Sequence, residues 1–193
     1  MRLGREFFTR NTVLVARELL GKTLVYKGEN QIYKGKIVEV EAYINENDDA
    51  AHFSKGLTDR TRVVGEEGGH IYMYTIYGIY ECFNVIAEKK GVHGGVLIRA
   101  VEPIEGIEKM YQNRFKKPFH NPPKRELINI SNGPAKFVMA YGINKADFYG
   151  RDLVKDPEIW IEDNIKIPQE QIVSSPRINV DYAKAKTIYL DLI

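Results

Sequence analysis

The alternation of apolar and polar residues predicts an opening helix followed by a β-hairpin. In residues 11–21 the apolar side chains recur at helical spacing, Asn11 or Thr12 can cap the N-terminus, and a glycine ends the helix. Two strand-like runs, residues 22–27 and 31–43, flank a GEN turn signal. The first 43 residues are therefore expected to form a helix and an antiparallel strand pair.

A long polar loop and a second hairpin come next in the pattern. Residues 44–70 are polar and Gly-rich with few apolar anchors, and loops of this length inside compact domains are commonly functional. Residues 71–86 indicate two strands that turn near Tyr77 and Gly78.

The rest of the chain predicts shorter elements. Residues 94–101 form a buried strand that is expected to end at Glu102–Pro103, and a helix begins within residues 104–111. A Pro-containing loop runs to residue 125, and Pro134 suits the first turn of a helix that reaches about Tyr141. Strand-like runs EIWIE and TIYLDLI close the chain. With no repeat or linker, residues 1–193 are predicted to form a single domain.

Composition places the protein among globular, intracellular proteins. Hydrophobic residues make up 44% and charged residues 28% of the 193 residues. No apolar run approaches the roughly 20 residues that span a bilayer, and the N-terminus lacks the pattern of a signal peptide. The single Cys82 excludes an intramolecular disulfide and a Cys-based zinc cage. We expect a cytoplasmic protein with no membrane partner.

Charge is distributed unevenly along the chain. The net charge of +2 says little, but residues 109–125 contain six basic residues and no acid. This run fits a solvated loop face, and it also fits a surface that lines a phosphate backbone.

An acidic cluster, EVEAYINENDDAAH, fills residues 39–52 with five carboxylates and a histidine. On a strand, Ile37, Glu39, Glu41 and Tyr43 would share one face, and Val38, Val40 and Ala42 the other. The carboxylates fit an edge strand facing water, or a general base with a second carboxylate nearby. A metal site is a third possibility, with candidate ligands Glu39, Glu41, Asp48, Asp49 and His52, although no established metal-binding spacing is present.

Tyrosines and two polar strand residues are the other candidates. Tyr72, Tyr74, Tyr77 and Tyr80 either pack on a sheet or serve as stacking platforms for bases. Tyr77 would lie at the tip of the second hairpin. In apolar strands, Arg99 is expected to pair with Glu41 or Glu39, and Asn84 has an amide that could read the edge of a base.

Several motifs occur in a fixed order along the chain: IVEVEAY, DDAAH, YMYTIYGIYECFNV, VLIRAVEP, NGPAK with INK, and RDL. Together they resemble the alkyladenine (3-methyladenine) DNA glycosylases of the mammalian type. FFTRNTVLVARELLGK resembles the opening helix of that family, and the resemblance covers residues 7–189. It implies an α+β fold: a single mixed domain with a curved antiparallel β-sheet, flanking helices and a DNA-inserting β-hairpin.

The resemblance also implies an activity. Members are monofunctional glycosylases that flip a damaged purine out of duplex DNA and hydrolyse its N-glycosidic bond with water, which initiates base excision repair. By motif, Glu41 matches the general base and Arg99 the arginine that helps to hold the water. The base pocket would consist of Tyr43, Ala51, His52, Tyr74 and Asn84.

DNA contacts are implied at Thr58, Arg60, Tyr77, Ile79, Tyr80, Lys136 and Lys145, with Tyr77 inserted into the gap left by the flipped base. A ring-methylated base is cationic, so tyrosine faces attract it and it leaves readily. The substrate would be alkylated purines, with hypoxanthine as a further candidate. The resemblance implies a monomer that acts on double-stranded DNA without a metal or other cofactor.

Two departures keep other hypotheses open. The loop after His52 has Thr61 where the family has asparagine, and TIYLDLI ends where the family continues. A catalytically impaired module that binds damaged DNA is therefore one alternative. A metal-dependent hydrolase that uses the acidic cluster is another, and EDTA should inactivate it.

Overall fold

The computed structural model describes residues 1–44, 48–164, 166–177 and 188–192. The strands in chain order are β1 (Thr23–Lys27), β2 (Ile32–Ile44), β3 (Ile71–Ile76), β4 (Tyr80–Ala87), β5 (Gly94–Glu105), β6 (Ile159–Glu162), β7 (Ile172–Pro176) and β8 (Ile188–Leu192). The helices are α1 (Arg5–Phe8), α2 (Thr12–Leu19), α3 (Ile107–Phe115), α4 (Lys124–Ile128), α5 (Pro134–Tyr141) and α6 (Lys145–Phe148), and 3-10 turns span Arg62–Gly65 and Gln169–Gln171. The predicted α+β class is confirmed.

The sheet is antiparallel and curved, with the order β3-β4-β5-β2-β1-β6. The long strand β2 lies between β5 and β1. Strand β1 pairs with the first part of β2, and β8 pairs with the later part, where Leu190 lies opposite Val40. Strand β7 pairs with the other edge of β8. The C-terminal strand therefore runs beside the segment of β2 that carries Glu41. Thr187 and Ile193, the ends of the predicted TIYLDLI strand, lie outside the described residues.

The opening helix forms as its sequence predicts. Asn11 caps α2, because its side-chain oxygen accepts hydrogen bonds from the N–H groups of Val13 and Leu14. Such a cap stabilises a helix by about 1 kcal/mol. Val15 and Leu19 face the core at helical spacing and are fully buried.

A β-bulge changes the facing of residues along β2. The pairing with β5 shifts register on both sides of Glu39, and Ile37, Val40 and Ala42 all lie in the same core. In a regular strand Ile37 and Val40 would point to opposite faces. The predicted grouping of Ile37 with the carboxylates is therefore wrong, because the extra residue of the bulge reverses the alternation.

Strand β5 continues beyond its predicted end. Pro103 lies opposite Gly35 and Glu105 opposite Lys34, with a register shift between these pairs. The prediction that Glu102–Pro103 ends the strand is wrong, because a bulge tolerates a proline that has no N–H to donate. Gly106 then turns with φ of 81° before α3 begins.

The described residues contain a main core and a smaller cluster. The main core lies between the sheet and helices α2, α3 and α5. The smaller cluster consists of Ala51, Phe53, Val63, Val64, Tyr72 and Ile86. It packs the long loop after β2 against β3 and β4, so this loop has more apolar anchors than its composition predicts. No helix among the described residues is long and apolar enough to cross a bilayer.

Candidate active site

A cavity of about 370 Å³ opens between the end of β2, the β3–β4 hairpin and β5. Its walls include seven of the residues predicted from the sequence: Glu41, Tyr43, His52, Tyr74, Tyr77, Asn84 and Arg99. It is also lined by Ala50, Phe53, Tyr72, Ile76, Cys82, Gly95, Leu97 and Pro134. Residues that are distant in sequence therefore meet in one pocket.

Glu41 lies at the wall of this cavity and is only 1% exposed. The Tyr43 hydroxyl donates to Oε2 of Glu41 at 2.9 Å, and Nη1 of Arg99 donates to Oε1 at 3.1 Å. Arg99 also donates from Nε to Oε1 of Glu39 at 2.7 Å. The predicted pairing of Arg99 with a carboxylate is confirmed, and Arg99 pairs with both Glu39 and Glu41. These two donors hold both oxygens of Glu41 in place at the cavity wall.

The electrostatics of this group favour a positively charged guest. Two carboxylates, those of Glu39 and Glu41, share the guanidinium of Arg99 at the cavity wall. Burial, followed by the charge of Glu41, raises the pKa of Tyr43, so its hydroxyl stays protonated and keeps donating. A cation in the cavity would be attracted by the carboxylate of Glu41.

Aromatic rings form the opposite part of the cavity. The rings of Tyr72 and Tyr74 lie 5.6 Å apart, and the His52 ring meets Tyr74 edge-on at 4.4 Å. Burial raises the pKa of Tyr72 to about 12 and that of Cys82 to about 11, so both side chains remain neutral near pH 7. The charge at the cavity wall is therefore carried by Glu41 and Arg99 and not by Tyr72 or Cys82.

His52 is held neutral by its surroundings. Its Nδ1 lies 3.1 Å from the Tyr72 hydroxyl. Burial, followed by the positive charge of Arg60, lowers the pKa of His52 below its ordinary value. Because the neutral ring is favoured in the folded chain, His52 contributes stability above its ordinary pKa of about 6.5, and that stability is lost as the pH falls below it.

We expect Arg60→Gln to raise the pKa of His52 partway towards its ordinary value, because the nearby positive charge is removed while the burial remains. An NMR titration of the His52 ring measures this directly. Arg62→Gln, two residues away and also exposed, is the matched control and should leave the midpoint unchanged. An unchanged midpoint in Arg60→Gln would show that Arg60 does not act on this ring.

Asn84 and Ala51 are both buried beside the cavity. Nδ2 of Asn84 donates to the carbonyl of Tyr72, its cross-strand partner, at 3.1 Å. This bond fixes the amide plane at the cavity wall. Ala51 belongs to the small apolar cluster, and its N–H donates to the carbonyl of Asp48.

The tip of the β3–β4 hairpin projects bulky apolar side chains into solvent. Tyr77 and Gly78 have φ of 51° and 73°, as the central residues of a type I′ turn require. Tyr77 is 84% exposed and Ile79 72% exposed, and Tyr80 is also exposed. A tyrosine in the left-handed region costs about 1–3 kcal/mol, and such strain is concentrated at functional sites. The predicted hairpin is confirmed, and its tip lies at the mouth of the cavity.

Thr58 and Arg60 lie in the exposed loop next to His52. Thr58 donates its N–H to the buried Thr61 hydroxyl at 2.9 Å, and the two hydroxyls are 3.1 Å apart. The carbonyl of Arg60 accepts from the Tyr149 hydroxyl at 3.1 Å. Thr61 therefore orders the loop and leaves the Arg60 side chain at the surface.

Lys136 and Lys145 lie at the starts of two helices. Nζ of Lys136 donates to the side-chain oxygens of Asn129 and Asn132 at 3.0 and 2.9 Å. The N–H of Lys145 donates to Glu81, a residue of β4. Neither lysine lines the cavity that contains Glu41. Their predicted contact with DNA stays a prediction.

The basic segment 109–125 is divided between α3, a loop and the start of α4. Lys117 pairs with Glu126, which lies outside the segment. Arg114 reaches a second cavity of about 300 Å³ that it shares with Tyr80 and Lys136. Part of the basic run therefore faces the same side of the molecule as the hairpin tip.

An ion pair behind the pocket was not anticipated from the sequence. Arg177 donates to both oxygens of Asp48, at 2.6 and 3.1 Å, and both side chains are fully buried. The guanidinium lies 4.3 Å from the centre of the Tyr43 ring. These partners are 129 residues apart, so only the fold reveals the pair. Cys82, by contrast, could have been found from its i,i+2 spacing to Asn84.

The acidic cluster does not form a metal cage within the described part of the chain. There, no three His, Cys, Asp or Glu side chains come close enough together to hold an ion. Glu39 and Glu41 face Arg99, whereas Asp48 faces Arg177. Glu46, the remaining carboxylate of the cluster apart from Asp49, lies outside the described residues.

Comparison with known proteins decides the family. A sequence model of the family described as methylpurine-DNA glycosylase (MPG) matches residues 6–190. The chain belongs to the methylpurine-DNA glycosylase family. The predictions of a DNA glycosylase and of a role in DNA repair are thereby confirmed.

Three relatives of the chain are provisionally named as 3-methyladenine DNA glycosylases. One from Clostridium perfringens (strain 13 / Type A) is 47% identical over 192 residues, 98% of this chain and 93% of that protein. One from Clostridium novyi (strain NT) is 48% identical, with 98% and 92% covered. One from Methanocella arvoryzae is 46% identical, with 94% and 86% covered.

Proposed function

We propose that this methylpurine-DNA glycosylase releases alkylated purines of the 3-methyladenine type from duplex DNA by attack of water at C1′, with Glu41 as general base. The observation that carries the proposal is a buried carboxylate, held by Tyr43 and Arg99, at the wall of an aromatic cavity. The cavity volume of about 370 Å³ suits a single small guest.

The chemistry of an alkylated purine matches this pocket. A ring-methylated purine is cationic in DNA, so it complements the carboxylate of Glu41 and the faces of the tyrosines. It departs as a neutral base and needs little acid assistance. The positive charge that develops on the sugar is stabilised by the carboxylate, which also takes a proton from the attacking water.

Arg99 and Tyr43 would act through Glu41. Their hydrogen bonds hold both carboxylate oxygens of Glu41 in place. The carboxylate can then accept a proton from the attacking water without first losing rotational freedom. Arg99 also keeps Glu39 and Glu41 from repelling each other. Glu39 is then a structural partner of Arg99 and Glu41 the base.

The hairpin tip would hold the opened duplex. Flipping a base out of the stack costs a few kcal/mol and is cheapest at damaged pairs. Tyr77 is exposed beside the cavity mouth, where its ring can fill the gap that the flipped nucleotide leaves. Ile79 and Tyr80 would press on the neighbouring nucleotides, and Thr58, Arg60, Lys136 and Lys145 would contact the backbone.

Substrate and metal dependence are tested together by measuring base release from duplexes that contain 3-methyladenine, hypoxanthine or ethenoadenine, with EDTA present. We expect 3-methyladenine to be released fastest, because hypoxanthine and ethenoadenine are neutral and gain less from the carboxylate of Glu41. The strand should stay intact, since no amine nucleophile is required, and the protein should act as a monomer. Loss of release in EDTA would favour a metal-dependent hydrolase, and binding without release would indicate a binding module.

A further inference from the structure

We propose that Gly95 is a specificity-determining residue of the pocket: the space where a side chain at position 95 would lie admits alkyl groups larger than methyl on the purine. This inference rests on the proposed function and extends it from methylated purines to purines with longer alkyl substituents. The side chains that bound this space belong to Tyr43, Ile86 and Leu97.

The alternation of residues along β5 determines the direction in which position 95 faces. Gly95, Leu97 and Arg99 all line the cavity that contains the proposed general base. The residues between them, Val96 and Ile98, belong to the main core on the other face of the sheet. Because alternate residues of a strand share a face, a side chain at position 95 would point into the cavity.

The space in front of Gly95 lies between two large side chains. Tyr43 of β2 is its partner on one side and Ile86 of β4 its partner on the other. Apart from its chain neighbours, a Cβ at position 95 would have only two atoms of the described residues within 4 Å. These are Cδ1 of Ile86 at 3.8 Å and the carbonyl oxygen of Val85 at 4.0 Å, both at ordinary contact distance. The protein itself therefore leaves this part of the cavity open.

The fold does not require a glycine at position 95. Its φ lies outside the left-handed region, and a glycine inside a strand weakens the strand because it has no side chain to pack. The preceding residue, Gly94, gives the contrast. A Cβ there would overlap Oγ1 of Thr12, which is held by a hydrogen bond to Glu88 at 2.9 Å. Gly94 thus makes room for the start of α2, whereas Gly95 makes room only in the cavity.

The chemistry of this space suits an alkyl group. It is bounded by the ring of Tyr43 and by the aliphatic side chains of Ile86 and Leu97, where a polar substituent would lose its hydrogen bonds to water. One methylene more or less in an apolar pocket changes discrimination between substrates by about 10–200-fold. Charge does not enter this discrimination, because methyl and longer alkyl groups on the same ring nitrogen give the same cation.

The test uses duplex DNA treated with a methylating or a butylating agent, each of which modifies N3 of adenine and N7 of guanine. Release rates are measured with protein in excess and corrected for spontaneous loss, and the butyl rate is divided by the methyl rate for each ring position. We expect Gly95→Ala to lower this ratio about tenfold at one or both positions, and Gly95→Val to lower it further. Gly94→Ala is the matched control, because Gly94 does not line the cavity, and it should leave the ratio unchanged.

A ratio that both Gly95 variants leave unchanged at both ring positions would overturn the inference, and so would a native chain that releases methylated but no butylated bases. Thermal unfolding tests the structural half of the argument. Gly95→Ala should unfold no lower than the native chain, whereas Gly94→Ala should unfold lower because its methyl group overlaps Thr12. An equal fall in the two variants would show that the fold needs both glycines and would overturn the inference. If instead the proposed function fails, the native chain releases no alkylated base from either DNA.

Discussion

Replacing Glu41 by glutamine should lower the single-turnover rate of base release by about 10²–10⁴-fold, the usual contribution of a positioned general base. Glutamine has nearly the same shape: its Oε1 can still accept from Arg99, and its Nε2 can donate to the Tyr43 hydroxyl oxygen, so the pocket should keep its form. Affinity for a duplex with a neutral lesion such as ethenoadenine should therefore change only a few-fold, whereas affinity for a cationic lesion should fall further because the charge of Glu41 is lost. Rates measured with protein in excess over DNA separate the chemical step from binding and product release.

Glu39→Gln is the matched control for this substitution. Glu39 is also a strand residue of β2, and it shares Arg99 with Glu41. Since Glu39 would act only through Arg99, its replacement should reduce the rate less than about tenfold. A larger effect at Glu39 than at Glu41 would reverse the assignment of the two carboxylates.

Asp48→Ala should destabilise the folded chain by about 3–5 kcal/mol, because it removes a buried carboxylate that pairs with the buried guanidinium of Arg177. In a protein of this size, a loss of that order lowers the unfolding midpoint by on the order of 10 °C. Thermal unfolding followed by circular dichroism measures the shift. The same loss of stability is expected for the free protein and for the protein bound to DNA.

Two controls separate this effect from a general loss of contacts. Asp48→Ala/Arg177→Met removes both charges, and it should cost clearly less than Asp48→Ala alone, since the guanidinium that Asp48 holds is removed with it. Glu102→Ala removes an exposed ion pair with Lys36 and should change the free energy of unfolding by about 1 kcal/mol or less. If Asp48→Ala is no more destabilising than Glu102→Ala, the buried pair does not stabilise the fold.

Local elements could be predicted where the signals are local. The Asn11 cap, the GEN turn and the Tyr77–Gly78 turn each depend on a few adjacent residues, and all three occur in the fold. The bulge at Glu39 leaves one trace in the sequence, the adjacent apolar residues Ile37 and Val38, where the alternation changes phase; a strand assumed to alternate without interruption does not predict it. Pro103 gave a false stop signal, because the pairing with β2 accommodates it at an irregular position.

Part of the pocket was predictable from the spacing of residues along single strands. The i,i+2 spacing of Glu41 and Tyr43 on a strand was sufficient to place them together, and the structure joins them by a hydrogen bond. Arg99, a charged residue in an apolar strand, requires a carboxylate partner, and the two carboxylates on β2 meet this requirement. Arg177 gave no such signal, because nothing along the chain connects it with Asp48. Contacts between distant segments depend on the sheet order, which the sequence pattern did not provide.

The most direct test of the central claim compares the native chain with Glu41→Gln on one duplex that contains 3-methyladenine, in EDTA and with protein in excess. Free base and intact strand are measured in the same samples, together with binding. The proposed chemistry predicts that both proteins bind the duplex, that only the native chain releases 3-methyladenine rapidly, and that the strand stays intact. Equal release by the two proteins would contradict the assignment of Glu41 as the general base.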